Sequence, residues 1–105
     1  MAYKNLSLVD YRDQYFENSS HLLIDVRTPM EFMRGHVPGA INIPLNQLHQ
    51  RINEIPHTDP IVVICATGNR SMSGSSILAQ AGYEQVYNLQ GGTMVWMMNG
   101  LPLEA

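Results

Sequence analysis

The sequence predicts an α/β fold with a mainly parallel sheet, and three observations carry the prediction. Leu22-Leu23-Ile24-Asp25-Val26 and Ile61-Val62-Val63-Ile64 are short apolar runs of the kind found in strands covered on both faces. Stretches with helical spacing of apolar residues alternate with these runs. Proline and glycine punctuate the segments, at Pro38-Gly39, Pro56, Pro60, Gly82 and Gly91-Gly92.

Leu6-Ser7-Leu8-Val9-Asp10 opens the first helix, with Ser7 as N-cap and Leu8, Tyr11, Tyr15 and Phe16 on the inner face. Asn18-Ser19-Ser20 closes it, and the strand over 22–26 follows, with Asp25 near its end. Thr28, Pro29 and Glu31 suit the N-cap, N1 and N3 positions of a second helix, which Gly35 stops. Beyond the Pro38-Gly39 turn, Ala40-Ile41-Asn42-Ile43 alternates as a short strand. Leu45, Leu48, Ile52 and Ile55 mark one face of an amphipathic helix that Pro56 and Asp59-Pro60 end. The strand over 61–64 then leads through Cys65 into a helix over 71–81 with Gly82 as its cap. Ser73-Gly74-Ser75-Ser76 are poor helix formers, but their small size allows this helix to lie close to the sheet. Gln85-Val86-Tyr87-Asn88-Leu89 is a last strand, and Gly91-Gly92 opens a final helix carrying Met94, Val95, Trp96, Met97 and Met98.

At 105 residues, 45% of them apolar and 14% charged, the chain is read as one domain over 1–105 with a core of its own. The net charge of −3, with no Lys/Arg cluster, argues against nucleic acid or an anionic membrane as partner. No apolar run approaches the ~20 residues of a membrane span. The first residues lack the apolar core of a signal peptide, so a cytoplasmic location is expected. The single cysteine excludes an internal disulfide and a multi-cysteine zinc site. His21, His36, His49 and His57 show no ligand-type spacing, and neither metal nor cofactor is expected.

The stretch Ile61–Ile64, Cys65, Ala66-Thr67-Gly68-Asn69-Arg70, Ser71 concentrates the chemistry. A thiol at the carboxyl end of a strand, facing a helix N-terminus, is placed to ionise and to bind anions. Ligands of open parallel sheets bind beyond the carboxyl ends of the strands, and this architecture brings Asp25 near Cys65.

Three segments together resemble the rhodanese (sulfurtransferase) domain family. They are Asp25-Val26-Arg27-Thr28-Pro29-Met30-Glu31-Phe32 with Gly35-His36-Val37-Pro38-Gly39-Ala40-Ile41-Asn42-Ile43-Pro44, then Ile64-Cys65-Ala66-Thr67-Gly68-Asn69-Arg70-Ser71, then Tyr87-Asn88-Leu89-Gln90-Gly91-Gly92 through Trp96 to Gly100-Leu101-Pro102. They occur in the family's order and cover nearly the whole chain. The resemblance implies a rhodanese-like α/β fold with a small, mostly parallel five-stranded sheet flanked by helices on both faces. It implies Cys65 as a persulfide carrier, with the backbone amides of Ala66, Thr67, Gly68, Asn69, Arg70 and Ser71 as its cradle.

Sulfane-sulfur transfer needs a thiolate, and a free cysteine thiol has a pKa of ~8.5. Convergent amides, the helix dipole and the Arg70 guanidinium all favour the anion, and Gly68 supplies positive φ where the loop curls. The implied route is double displacement, from a small sulfur-containing anion such as thiosulfate to Cys65, then to cyanide, a thiol or a protein thiol. With no second cysteine the acceptor comes from outside. Four residues separate Cys65 from Arg70, whereas the related cysteine phosphatases use five, so the resemblance favours sulfur over phosphate as cargo. Many thiosulfate-using relatives carry a basic residue after the cysteine, and here it is Ala66, which turns attention to a sulfur-relay module acting on a protein thiol.

The remaining candidates divide between chemistry and architecture. Arg70 is expected to bind anion, and Ser71 either to cap its helix or to hydrogen-bond the sulfur. Asp25 and Arg27 are expected to support the site, with Arg27 spaced to pair with Glu31. His36 is read as structural and Trp96 as a core anchor. Met94, Met97 and Met98 are expected in the core, the alternative being an apolar rim beside the loop that docks a protein acceptor. A monomer or homodimer is expected.

Overall fold

A computed structural model describes residues 2–105. Five strands form one sheet: β1 (Lys4–Leu6), β2 (Leu22–Asp25), β3 (Ile41–Asn42), β4 (Ile61–Ile64) and β5 (Val86–Leu89). Their spatial order is β1-β5-β4-β2-β3, and every adjacent pair is parallel. The expected five-stranded parallel architecture is therefore present. The sequence suggests no strand at residues 4–6 and places Leu6 at the opening of the first helix. These residues instead pair with Tyr87, Asn88 and Leu89 as an edge strand, too short to show a period.

The sheet buries both faces, and β4 shows how. Ile61, Val63 and Cys65 join one apolar cluster with Leu48, Leu78 and Tyr83, while Val62 and Ile64 join the other with Tyr11, Leu89 and Trp96. Alternate side chains of one strand thus feed two cores. The first core is covered by α4 (Arg70–Gln80), the second by α1 (Leu8–Gln14) and α5 (Gly92–Met98). The small residues of α4 act as expected. A Cβ on Gly74 would lie 3.3 Å from the side chains of both Val26 and Val63, so this helix packs at close range on β2 and β4.

Local signals mostly hold. Ser7 Oγ accepts the Asp10 amide, and α2 (Pro29–Arg34) starts with a complete capping box between Thr28 and Glu31. The helix expected through Leu45 and Ile55 is not continuous. A 3₁₀ turn at Leu45–Gln47, a single α-helical turn α3 (Leu48–Arg51) and a second 3₁₀ turn at Ile52–Glu54 replace it. None of the three turns has a side-chain cap, and the segment follows the sheet by burying Leu48 and Ile55. Met94, Met97 and Met98 also depart from expectation. Gly92, Thr93 and Trp96 take the inner face of α5, and the methionines on its other side are 53%, 55% and 78% exposed. Trp96 is fully buried as expected, and its indole N–H donates to the Pro102 carbonyl at 2.7 Å.

The turn from β5 into α5 presses on the loop after β4. Gly92 adopts a φ of +59°, and a Cβ there would meet the Cys65 carbonyl oxygen and come within 2.7 Å of the Ala66 backbone. Gly92→Ala is expected to lose about 3 kcal/mol of unfolding free energy through strain and forced separation. Urea denaturation measures this, and a loss below about 1 kcal/mol would show that the turn shifts freely.

Candidate active site at the Cys65 loop

Cys65 follows β4 and is 1% exposed. Its main-chain surroundings decide what the thiol meets. The Thr93 amide donates to the Cys65 carbonyl at 2.9 Å, the Thr93 hydroxyl at 3.1 Å, and the Met94 amide to the Ala66 carbonyl at 3.0 Å. The first amides of α5, which have no partner inside their own helix, thus take the first two carbonyls of the loop. With those carbonyls held towards α5, the chain curls over the sulfur at Gly68. This glycine has the positive φ expected of it, +101°, and its amide donates to Cys65 Sγ at 3.1 Å. The helix α4 begins at Arg70, so its N-terminus faces the same sulfur.

Two opposing effects set the thiol's acidity. Burial pushes the Cys65 pKa up. The Ser71 hydroxyl and the amides of Ser71, Gly68 and Thr67 outweigh it and hold the thiol below its ordinary value. Ser71 is therefore more than a cap. It is fully buried, its hydroxyl lies 3.4 Å from Sγ, and it donates to Asn88 Oδ1. Asn88 in turn donates to Asn5 Oδ1 at 3.1 Å. A polar chain thus runs from the sulfur through Ser71 and Asn88 to the edge strand. Ser71 has a single proton, so it cannot serve Asn88 and a thiolate together. In the polarity present it accepts the Cys65 S–H. Ionisation calls for the reverse, with the hydroxyl turned to sulfur and the Asn88 amide turned to donate.

Arg70, expected to bind anion, meets a carboxylate beside the loop. Its guanidinium makes a two-pronged pair with Glu31, at 2.7 and 2.9 Å. Glu31 also accepts the Thr28 amide and hydroxyl. These hydrogen bonds, that from Arg70 foremost, hold the Glu31 carboxyl down at about 2. Arg27 does not pair with Glu31 as its spacing suggested. It precedes the Thr28 cap and so lies outside the helix, where the four-residue rule does not apply. Its guanidinium instead grips buried Asp25 at 2.8 Å and the Gly35 carbonyl at 2.8 Å. Asn42 donates to the Asp25 and Arg27 carbonyls, both at 3.0 Å. Asp25 and Arg27 thus brace the chain after β2 beside the site. His36 is in a structural setting, with Nδ1 on the Phe32 carbonyl at 2.9 Å and its ring stacked on Phe32.

Ala66, Thr67 and Asn69 contribute backbone to the loop, and Asn69 precedes α4 without a side-chain cap bond. The sequence does not single out Asn5, Asn88 or Thr93 for the site, and it marks Glu31 as a capping residue and a partner for Arg27 rather than for Arg70. A buried asparagine in a strand is a signal that something polar needs it. The sequence alone does not show that Asn88 is buried.

A family model for the rhodanese-like domain matches residues 4–99, and the chain belongs to that family. It is 40% identical over 84 residues to a sulfurtransferase of Allochromatium vinosum, covering 80% of this chain and 78% of that one. Over 99 residues it is 37% identical to a chloroplastic thiosulfate sulfurtransferase of Arabidopsis thaliana, covering 83% and 82%. A rhodanese-related protein of Thermoplasma volcanium superposes with a TM-score of 0.88 at 28% identity, covering 97% of this chain and 98% of that one.

Two measurements test the electrostatics. Asn88→Asp presents an acceptor that cannot donate to Ser71, so the Ser71 proton stays with the carboxylate. The Cys65 thiol pKa is expected to rise by about one unit, read from the pH dependence of alkylation by iodoacetamide, and an unchanged profile would dismiss the polar chain. Glu31 and Arg70 are 34% and 38% exposed in their side chains, so solvent screening limits their pair to about 1 kcal/mol or less. Because the folded-state carboxyl is depressed, that stability is present above the ordinary value of 4.5 and is lost as pH falls towards about 2. Glu31→Gln is expected to be less stable than wild type at neutral pH, with the difference closing on acidification. A difference constant with pH would show that the pair does not hold the helix.

Proposed function

We propose that this protein is a transferase that carries sulfane sulfur as a persulfide on Cys65. The observation that carries this reading is the Gly68 amide on Cys65 Sγ at 3.1 Å, inside a loop that closes on Arg70 after four intervening residues. The site binds a small anion with main-chain N–H groups and favours the thiolate through Ser71. The Cys65 thiolate attacks the outer sulfur of a donor such as thiosulfate. The bond between the two donor sulfurs breaks, sulfite leaves with its electron pair, and Cys65-S-S⁻ remains. A thiol or cyanide then attacks the outer sulfur and returns the Cys65 thiolate. The amides stabilise the negative charge at both stages, and no general base is needed once the thiolate is formed. The relative named as a thiosulfate sulfurtransferase supports this donor. A cytoplasmic setting, where reduced thiols are plentiful, suits the second step.

A second reading is a relay module whose acceptor is a protein thiol. It is favoured by Ala66 at the position after the nucleophile and by the pairing of Arg70 with Glu31, which leave the loop without a free cation for thiosulfate.

Intact mass after thiosulfate treatment tests the persulfide. Gain of one sulfur by wild type and none by Cys65→Ser is expected. Absence of the adduct with every sulfane donor would overturn the reading. Faster transfer to a protein thiol than to cyanide would favour the relay.

A further inference from the structure

A chain of side-chain hydrogen bonds connects the Cys65 sulfur to the exposed edge of the sheet. Cys65, Ser71 and Asn88 are buried, and Asn5, on edge strand β1, is exposed. Asn5 and Asn88 are register partners in β1 and β5, so their side chains lie side by side on one face of the sheet. All three links run outward. Cys65 Sγ donates to Ser71 Oγ at 3.4 Å, Ser71 Oγ donates to Asn88 Oδ1, and Asn88 Nδ2 donates to Asn5 Oδ1 at 3.1 Å.

The outer part of this chain is free to turn. Among the described residues the Asn88 carboxamide makes no third hydrogen bond, and Asn5 Nδ2 has no protein partner. The Asn5 amide reaches water, which satisfies whichever end does not face Asn88. A carboxamide carries an acceptor on one side and a donor on the other in nearly the same outline, and its last torsion is two-fold in its preference. A half-turn of both amides, with rotation of the Ser71 hydroxyl, therefore gives a second arrangement with the same three links, all running inward. Asn5 Nδ2 then donates to Asn88 Oδ1, Asn88 Nδ2 to Ser71 Oγ, and Ser71 Oγ to sulfur. The outward arrangement suits a thiol, which has a proton to give. The inward one suits a thiolate, which only accepts. Mixed arrangements set two donors or two acceptors against each other at one link, so the links reverse together.

Resting on Cys65 as the nucleophile of the reading above, we propose that Asn5 and Asn88 are positioning residues that aim the Ser71 hydroxyl at Cys65, through a hydrogen-bond chain that reverses direction as a unit when the sulfur becomes an anion. The chain carries no proton. The thiol proton passes to water, and the amides only turn. An exposed residue on the first strand thereby governs a buried sulfur that it does not touch.

The test is the pH dependence of Cys65 alkylation by iodoacetamide, which reads the thiolate without any sulfur donor. Asn5→Asp puts a group that only accepts at the outer end and pins the outward direction. Position 5 is exposed, so the variant is expected to fold. The midpoint of the profile is expected to rise by about half a pH unit or more. Lys4→Gln makes the same one-unit change in net charge at the adjacent residue, whose side chain points to the other face of the sheet, and is expected to give no comparable rise. Ser71→Ala cuts the chain at its inner end, and adding Asn5→Asp to it is expected to move the midpoint no further. An unchanged midpoint in Asn5→Asp would overturn the proposal. So would a rise that Lys4→Gln reproduces, or one that survives in the Ser71→Ala background, because either is the field of a surface charge rather than the direction of a hydrogen bond. Failure of these profiles leaves persulfide transfer standing. A Cys65 that gains no sulfur from any donor, yet shows the expected profiles, removes the sulfur-transfer reading and keeps the chain.

Discussion

The site depends on the grip of α5 on the chain after β4. The loop after Cys65 has carbonyls as well as amides, and both cannot face the same anion. The Thr93 and Met94 amides settle the matter by taking the Cys65 and Ala66 carbonyls. This satisfies two otherwise unpartnered donors at the start of α5 and two acceptors on a buried turn at once. It also leaves the amides of Thr67, Gly68 and Ser71 for the sulfur. Gly91 and Gly92 are the sequence requirement for this contact: both take positive φ, a Cβ on Gly92 would strike the Cys65 and Ala66 backbone, and one on Gly91 would strike Val95 within α5. The glycine pair in the third motif thus serves the second motif, though 25 residues separate Gly91 from Cys65.

Charge is distributed in the same economical manner. The basic side chains nearest the thiol are spent on carboxylates that hold elements together. Arg27 and Asp25 brace the turn after β2, and Arg70 and Glu31 link the start of α4 to the start of α2. What remains for the sulfur is hydrogen bonding from neutral groups, enough to overcome the penalty of burial on the thiolate. The helix starts are consequently tied together by the same ion pair that withdraws positive charge from the cradle.

Much of this was legible in the sequence because it is local. The capping box at Thr28 and Glu31, the positive φ at Gly68, the buried strands and the burial of Trp96 all follow from residue type at a stated spacing. The features that escaped are those fixed by distant partners. Residues 4–6 become a strand because β5 offers them an edge. Asn88 matters because Ser71 lies across the sheet end from it, and Asn5 because β1 aligns with β5. Helical spacing put three methionines at compatible intervals but could not say which face of α5 the sheet would claim. Trp96 and Thr93 claimed it, and the methionines were left exposed, lining a cavity with Ala66 and Arg27. The pairing of Arg70 with Glu31, 39 residues earlier, was invisible to any local rule.

A cradle of neutral donors has a consequence for a sulfur carrier. Adding one sulfur moves the negative charge outward by one S–S bond, ~2.05 Å, without changing its sign. A fixed cation aimed at one position would hold one of the two anions tightly and disfavour passage to the other. Several amides spread along a curved loop favour both by similar amounts, and the Ser71 hydroxyl can follow the inner sulfur. On the persulfide reading proposed above, the two forms of the site would be held by the same neutral donors, so neither charge position would be singled out. The pairing of Arg70 with Glu31 would contribute to that balance by drawing the one cationic side chain of the loop onto a carboxylate.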